Sequence, residues 1–211
     1  ENIDLIKYAM EYEFRDFLIM PPAYYKGNTD EGVFDFYSRI IKSSPKIKII
    51  LYNFEKLSGY KFSINCVEQL VKRFPKQIIG VKDSSYNLYK DLKLKNFSVL
   101  PGSELKLLKG LELGCSGIIT ATCNVTAQLS RKVYDDFLLN NEQVYNQKLC
   151  EVRKVFDKNN LISGLHTFFS KEDEAFKNIL PPLRLLSQKE KKKLMQDLKD
   201  LNFKISTSMA A

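Results

Sequence analysis

Tryptophan is absent, histidine occurs once and cysteine four times in 211 residues. One histidine and four scattered cysteines (Cys66, Cys115, Cys123, Cys150), with no C-x-x-C pair, supply neither the ligands nor the spacing of a zinc site. No metal is therefore expected, and the thiols read as reduced. No apolar run approaches the roughly 18–20 residues of a membrane helix, so no membrane partner is expected. The opening Glu1-Asn2-Ile3-Asp4 lacks the basic and apolar regions of a signal peptide. Together with the sparse thiols, this points to a cytoplasmic protein. Neither G-x-G-x-x-G nor G-x-x-x-x-G-K-[ST] occurs, which weighs against a nucleotide-binding open sheet.

Hydrophobic residues make up 44% of the chain, an ordinary globular share. The net charge of +8 raises the question of nucleic acid, but the basic residues are interspersed with acidic ones. The densest run, Lys189 to Lys193, contains Glu190 and falls on a predicted helix, where it reads as a solvated face. No nucleic-acid partner is expected; the charge can instead steer anionic keto acids.

Strand and helix patterns alternate along the chain. After an opening helix (Ile3, Ile6, Lys7, Met10, Phe14), apolar runs at Phe17–Met20, Ile47–Tyr52, Ile78–Lys82, Phe97–Pro101 and Gly117–Ala121 read as strands. Helices are expected from Thr29/Asp30, over Ser63–Phe74, near Leu88–Leu94, over Glu104–Leu113 and over Thr126–Leu139. Strands joined by helical crossovers are parallel, and strands this apolar are covered on both faces. An open doubly wound sheet and a closed (β/α)8 barrel both fit. From about residue 141 the pattern becomes helical: Asn141–Asn159, Thr167–Ile179 up to Pro181-Pro182, and a last helix opened by a Ser187/Glu190 capping box. The expected domains are a partial barrel over 1–140 and a helical extension over 141–211.

Lys82 ends an apolar strand, at the end of the sheet where parallel α/β folds bind ligands. Desolvation disfavours an ammonium, so a lowered pKa and a nucleophilic amine able to form Schiff bases are expected there. Tyr52 ends the preceding strand in the equivalent place, and a phenol beside a reactive lysine can shuttle protons. Gly102-Ser103-Glu104 follows the next strand and opens a helix, where backbone N–H groups can hold a carboxylate or oxyanion. Ser103 as an N-cap explains that stretch equally well. Tyr24-Tyr25 share the same rim, and His166 has no triad partners in the sequence.

Leu51-Tyr52-Asn53, Ile79-Gly80-Val81-Lys82-Asp83-Ser84, Pro101-Gly102-Ser103-Glu104, and Gly117-Ile118-Ile119 through Asn124-Val125 occur in this order. With Pro22–Tyr25 and Pro181-Pro182, they resemble the pyruvate-dependent class I aldolases. That family includes dihydrodipicolinate synthase, N-acetylneuraminate lyase, 2-keto-3-deoxygluconate aldolase and 4-hydroxy-2-oxoglutarate aldolase. The resemblance implies a (β/α)8 TIM barrel, here its strands 4–8, with a C-terminal helical extension. It implies a Schiff base between Lys82 and pyruvate or another 2-keto acid, with an aldehyde as the second partner and no cofactor. Tyr52 would relay protons, Gly102 and the backbone of Ile119 would line the pocket, and Tyr25 would reach across a subunit interface. A homo-oligomer, dimer or tetramer, follows from that last role.

The departures from the family pattern narrow the function. Synthases carry an arginine where Leu57 stands here, and a leucine makes no bidentate carboxylate contact. Leu105 stands where sialic acid lyases carry an acidic sugar contact, and Tyr86 replaces a common glycine, narrowing the expected pocket. Family members also have three further strands upstream, including a Thr-Thr loop that holds the pyruvate carboxylate. The chain thus reads as a truncated copy of an active enzyme, expected to be poorly soluble and inactive by itself. The leading expectation is cleavage of a 2-keto-3-deoxy sugar acid or a hydroxy-oxo acid. Dihydrodipicolinate synthase is one alternative, and a non-catalytic barrel relative serving as a binding or assembly module is another.

Overall fold

The computed structural model describes residues 1–204; the last part of the expected extension, 205–211, lies outside the described residues. The elements run α1 (Asn2–Glu11), β1 (Asp16–Ile19), α2 (Asp30–Ser43), β2 (Lys48–Asn53), α3 (Glu55–Ser58), α4 (Ile64–Arg73), β3 (Ile78–Asp83) and β4 (Ser98–Pro101). A 3-10 turn at Glu104–Lys106 leads into α5 (Leu107–Glu112), α6 (Cys123–Leu138), α7 (Asn146–Phe156), α8 (Leu161–Phe169), a second 3-10 turn at Glu174–Lys177, and α9 (Gln188–Asp200). The chain forms two compact units: Glu1–Gly102 with Lys109–Ile119, and Ser103–Leu108 with the chain from Thr120 onward. The helix α6, which the sequence groups with the barrel part, packs on α7 within the second unit.

The first unit is a four-stranded sheet, all parallel, in the order β1-β2-β3-β4. Strand order that follows chain order without reversal is the winding of a barrel wall; a doubly wound sheet reverses at its switch point. The core lies between the strand residues Ile19, Ile49, Leu51, Val81 and Val99 and the helix residues Val33, Tyr37, Ile40, Ile41, Val67 and Leu70. Helix starts fall where side chains can take orphan N–H groups: Thr29 caps α2 through Gly32 N–H, and Ser63 caps α4 through Cys66 N–H. The fully buried Tyr37 hydroxyl donates to the Ile19 carbonyl (2.8 Å), and burial holds its pKa well above the usual phenol range.

Two expected elements of this unit are absent. Gly117–Ala121 is not a strand, although it follows the edge of β4: Ser116 N–H donates to Val99 O and Ile119 N–H to Pro101 O, at 3.0 and 3.2 Å. Three residues advance on this segment against two on β4, with Gly117 at φ +141°, so the ladder breaks. The stretch 88–94 closes one turn, with Leu92 N–H on Leu88 O at 2.9 Å and the Asp83 carboxylate capping the N–H groups of Leu88 and Tyr89, but does not extend into a helix.

The second unit packs α6–α9 around Val125, Val152, Val155, Phe156, Leu165, Leu194 and Leu198. The expected helix over 141–159 begins only at Asn146; Asn140, at φ +55°, ends α6, and 141–145 are irregular chain and a turn. The expected helix over 167–179 is displaced to Leu161–Phe169, capped by Asn160 through Ser163 N–H, and is followed by the second 3-10 turn. The capping box at Ser187 and Glu190 is formed. His166 bonds the Phe176 carbonyl through Nδ1 at 2.9 Å and packs on the Phe176 ring, a structural role.

The polar centre of this unit is Glu104, fully buried. Its carboxylate accepts from Thr120 and Thr126 and from Arg153 Nη1 at 2.8–3.0 Å, and from Thr122 at 2.5 Å. Burial raises its pKa, but the bonds from Thr122 and Arg153 and the guanidinium charge outweigh that and hold the carboxyl below its usual value. Among the described residues no helix is long and apolar enough to cross a membrane. Among them also, no cluster of three or more His, Cys, Asp or Glu side chains is placed to hold a metal ion.

Two outcomes follow. Arg153→Ala strands the buried Glu104 carboxylate and should cost about 3–5 kcal/mol in urea unfolding. A group whose pKa is depressed by folding stabilises above its unfolded pKa and loses that contribution as pH falls through its folded value. Unfolding of the wild type should therefore become easier on acidification below the ordinary carboxylate range, and Glu104→Gln should flatten that part of the profile. Separately, a Cβ at Gly80 would lie 2.7 Å from the Ser98 carbonyl oxygen. Gly80→Ala should then force β3 from β4 and lower stability by about 1–3 kcal/mol, read from the denaturation midpoint.

Candidate active site

The ends of β2 and β3 carry Tyr52 and Lys82, which are direct register partners. A bulge fixes that pairing: Ile49 pairs with Ile78 but Ile50 with Gly80, so the register steps by one residue. Without the step, Tyr52 would sit opposite Val81, and the two side chains would lie on opposite faces. Gly80 permits the close approach to β4 that the bulged strand makes.

Both residues are half-buried. The Lys82 amine lies 4.0 Å from the centroid of the Tyr52 ring, in cation–π geometry, and the Phe54 ring stacks on Tyr52 at 6.0 Å. The sequence leads one to expect this amine in a dry environment; it sits instead on an aromatic face at a half-open rim. The pair occupies the C-terminal edge of a parallel sheet, where the strand ends leave room for ligands.

Gly102 follows β4 on the same rim. Its N–H donates to the Asp83 carbonyl at 3.0 Å, so it is not free to hold an oxyanion. A Cβ there would lie 2.1 Å from Ser84 Oγ, which only glycine tolerates. Ile119 N–H is likewise taken by Pro101 O, which leaves Gly102 and Ile119 their carbonyls and Cα surfaces to present. Ser103 belongs to the second unit, is buried, and uses its hydroxyl as a cap for Leu105 N–H at 3.3 Å. The capping alternative for Ser103 is therefore the one formed.

Tyr25 lies in the loop after β1 with 72% of its surface exposed, its ring edge-on to Tyr24 at 5.3 Å. Leu57, in the short helix α3 after β2, is 51% exposed. Tyr86 adopts φ +58°, a conformation that favours glycine and accounts for the residue type expected there. Lys26 is a neighbour that the sequence did not single out: its ammonium donates to Ala23 O (2.6 Å) and Leu57 O (3.3 Å), bridging the loop after β1 to α3. A lysine beside the two tyrosines was the only signal of it.

The 4-hydroxy-tetrahydrodipicolinate synthase of Wigglesworthia glossinidia brevipalpis is 32% identical over 153 residues, 68% of this chain and 49% of that protein. The 2-dehydro-3-deoxy-D-gluconate/2-dehydro-3-deoxy-phosphogluconate aldolase of Picrophilus torridus is 26% identical over 188 residues, 85% of this chain and 69% of that protein. The chain thus spans between about half and about two thirds of these relatives. Among solved structures, YagE, a prophage protein of the dihydrodipicolinic acid synthase family from E. coli K12 in complex with pyruvate, superposes with a TM-score of 0.80 at 21% identity. The match covers 96% of this chain and 71% of that one, and it identifies the fold as that of the (β/α)8 barrels, of which this chain forms four wall strands and the C-terminal helices. The model of the dihydrodipicolinate synthetase family matches residues 1–201, and the chain belongs to that family.

Proposed function

We propose that this protein is a class I carbon–carbon lyase in which Lys82 forms a Schiff base with pyruvate or another 2-keto acid. The observation that carries the reading is the register pair at the ligand end of the sheet, with the Lys82 amine 4.0 Å from the Tyr52 ring. The pyruvate in the structure of the E. coli relative supports the keto-acid class.

In this reading the Lys82 amine adds to the C2 carbonyl, and loss of water leaves an iminium. The iminium accepts the electron pair released when the C3–C4 bond breaks; the aldehyde leaves and an enamine remains. Protonation at C3 and hydrolysis release the keto acid and regenerate the amine. Tyr52 moves the protons between the carbinolamine, the enamine and the C4 hydroxyl. Gly102 and Ile119 are proposed to line the substrate site with their carbonyls and Cα surfaces. The exposed Tyr25 completes the relay of a neighbouring copy, which makes the working form a homo-oligomer.

Cleavage of a 2-keto-3-deoxy sugar acid or hydroxy-oxo acid is the favoured reaction. The Picrophilus aldolase supports it, as does Leu57, which offers no charged group to a second carboxylate. Condensation to a dihydrodipicolinate precursor is the second reading, supported by the identity to the Wigglesworthia synthase.

Treating the full-length protein with pyruvate and borohydride should add a three-carbon unit to the Lys82 peptide, and Lys82→Ala should abolish it. A folded protein that remains unmodified would favour a non-catalytic binding module. Tyr52→Phe should keep the trapped adduct while lowering kcat by about 10²–10⁴. Comparing cleavage of 2-keto-3-deoxygluconate with consumption of an amino-acid semialdehyde separates the aldolase from the synthase.

A further inference from the structure

Strand alternation turns the residues after the reactive pair to the opposite face of the sheet, where Asn53 and Asp83, also register partners, are fully buried. Asn53 Nδ2 donates to Asp83 Oδ1 and to Asn87 Oδ1, each at 2.8 Å, and Asn53 Oδ1 accepts from Phe62 N–H at 3.1 Å. Asp83 also accepts from the N–H groups of Tyr86, Leu88 and Tyr89 at 2.8–2.9 Å, so the loop after β3 wraps around its carboxylate. Asn87 Nδ2 returns to the Phe62 carbonyl at 2.9 Å. The Asn53 carbonyl takes the N–H groups of Ser84 and Ser85, and Ser85 Oγ takes Glu55 N–H at 2.8 Å. The loops after β2 and β3 are thereby tied through one buried pair of side chains.

Resting on the reading of Lys82 as the Schiff-base residue, we infer that Asn53 and Asp83 are positioning residues that hold the Lys82 amine and the Tyr52 phenol in working register from behind the sheet. Neither faces the reacting atoms. Their bond fixes how far the ends of β2 and β3 can slide or splay, and the proton relay depends on that distance. Trapping read at equilibrium reports whether the imine forms and so tolerates slowed proton transfer at the carbinolamine, whereas removal of a proton from C3 of the iminium, read as a rate, needs lysine and phenol in register.

Two readouts on the full-length protein separate these steps. Borohydride trapping of pyruvate at Lys82 reports the imine. Exchange of pyruvate methyl protons for deuterium, followed by NMR at saturating pyruvate, reports C3 proton transfer. Val67→Ala, at a fully buried position on α4, serves as the control for general loss of stability. Asn53→Ala should slow exchange by about ten- to a hundredfold while trapping stays within about twofold, whereas Val67→Ala at a comparable fall in Tm should leave both unchanged. If Asn53→Ala does not fold, Asn87→Ala, which removes one arm of the web at a half-buried position, should slow exchange several-fold with trapping retained. Exchange falling no further than in the Val67 control would overturn the positioning role alone. Absence of any Lys82 adduct in the unsubstituted protein would overturn the lysine reading, and the clamp with it.

Discussion

A one-residue step in the pairing of β2 with β3 governs what this sheet can do. It brings Tyr52 opposite Lys82 and, one residue later, Asn53 opposite Asp83. Side chains alternate faces along a strand, so a slip of one residue would send the lysine and the tyrosine to opposite sides of the sheet. Two features go with the step, one on each side of β3. Gly80 gives up its side chain so that β3 can approach the Ser98 carbonyl, and Asp83 collects hydrogen bonds from Asn53 and from the loop that follows. The Tyr52–Lys82 pair on one face and the buried polar web on the other are two consequences of the same register.

The strands and most helix starts could be read directly, because they rest on local patterns: continuous apolar runs bounded by turn residues, and Thr29, Ser63 and Ser187 at caps. Those patterns report burial and local hydrogen bonding, which are decided within a few residues. The structure departs from those patterns in the loop after β3, along the edge of β4 and at the Asn160 cap. Leu88 and Leu92 have helical spacing and are buried, and Asp83 caps the N–H groups of Leu88 and Tyr89, yet only one turn forms. Gly117–Ala121 has the composition of a strand, yet it advances three residues against two of β4. Asn160 was a legible cap that the periodicity beyond it obscured.

The site was legible to a different degree. Strand-end positions and residue types pointed to Lys82 and Tyr52, and the register joined them. Their geometry was not predictable from position, since a lysine stem leaving a dry strand can reach water or, as here, an aromatic face. The N–H of Gly102 is taken by the Asp83 carbonyl within the fold, so this turn does not offer the backbone donor that the sequence suggests at that residue.

The turn after β2 bears on the choice between the two substrates. Residue 57 supplies a half-exposed leucine in place of the guanidinium fork that the synthase resemblance leads one to expect. Positive charge is nonetheless present there, because Lys26 leans over the turn and donates to the carbonyls of Ala23 and Leu57. Gly59 makes room for it: at φ +72° its missing Cβ would lie 2.5 Å from Lys26 Cδ. An ammonium on a flexible stem attracts an anion as a point charge and does not fix a planar carboxylate from two directions. That difference matters most to a condensation in which the second substrate must be held by its carboxylate while its aldehyde meets the enamine. It matters less to cleavage, where the departing aldehyde is already bonded to the imine-anchored half. The chemistry of this one turn therefore supports the aldolase reading that we propose over the synthase reading.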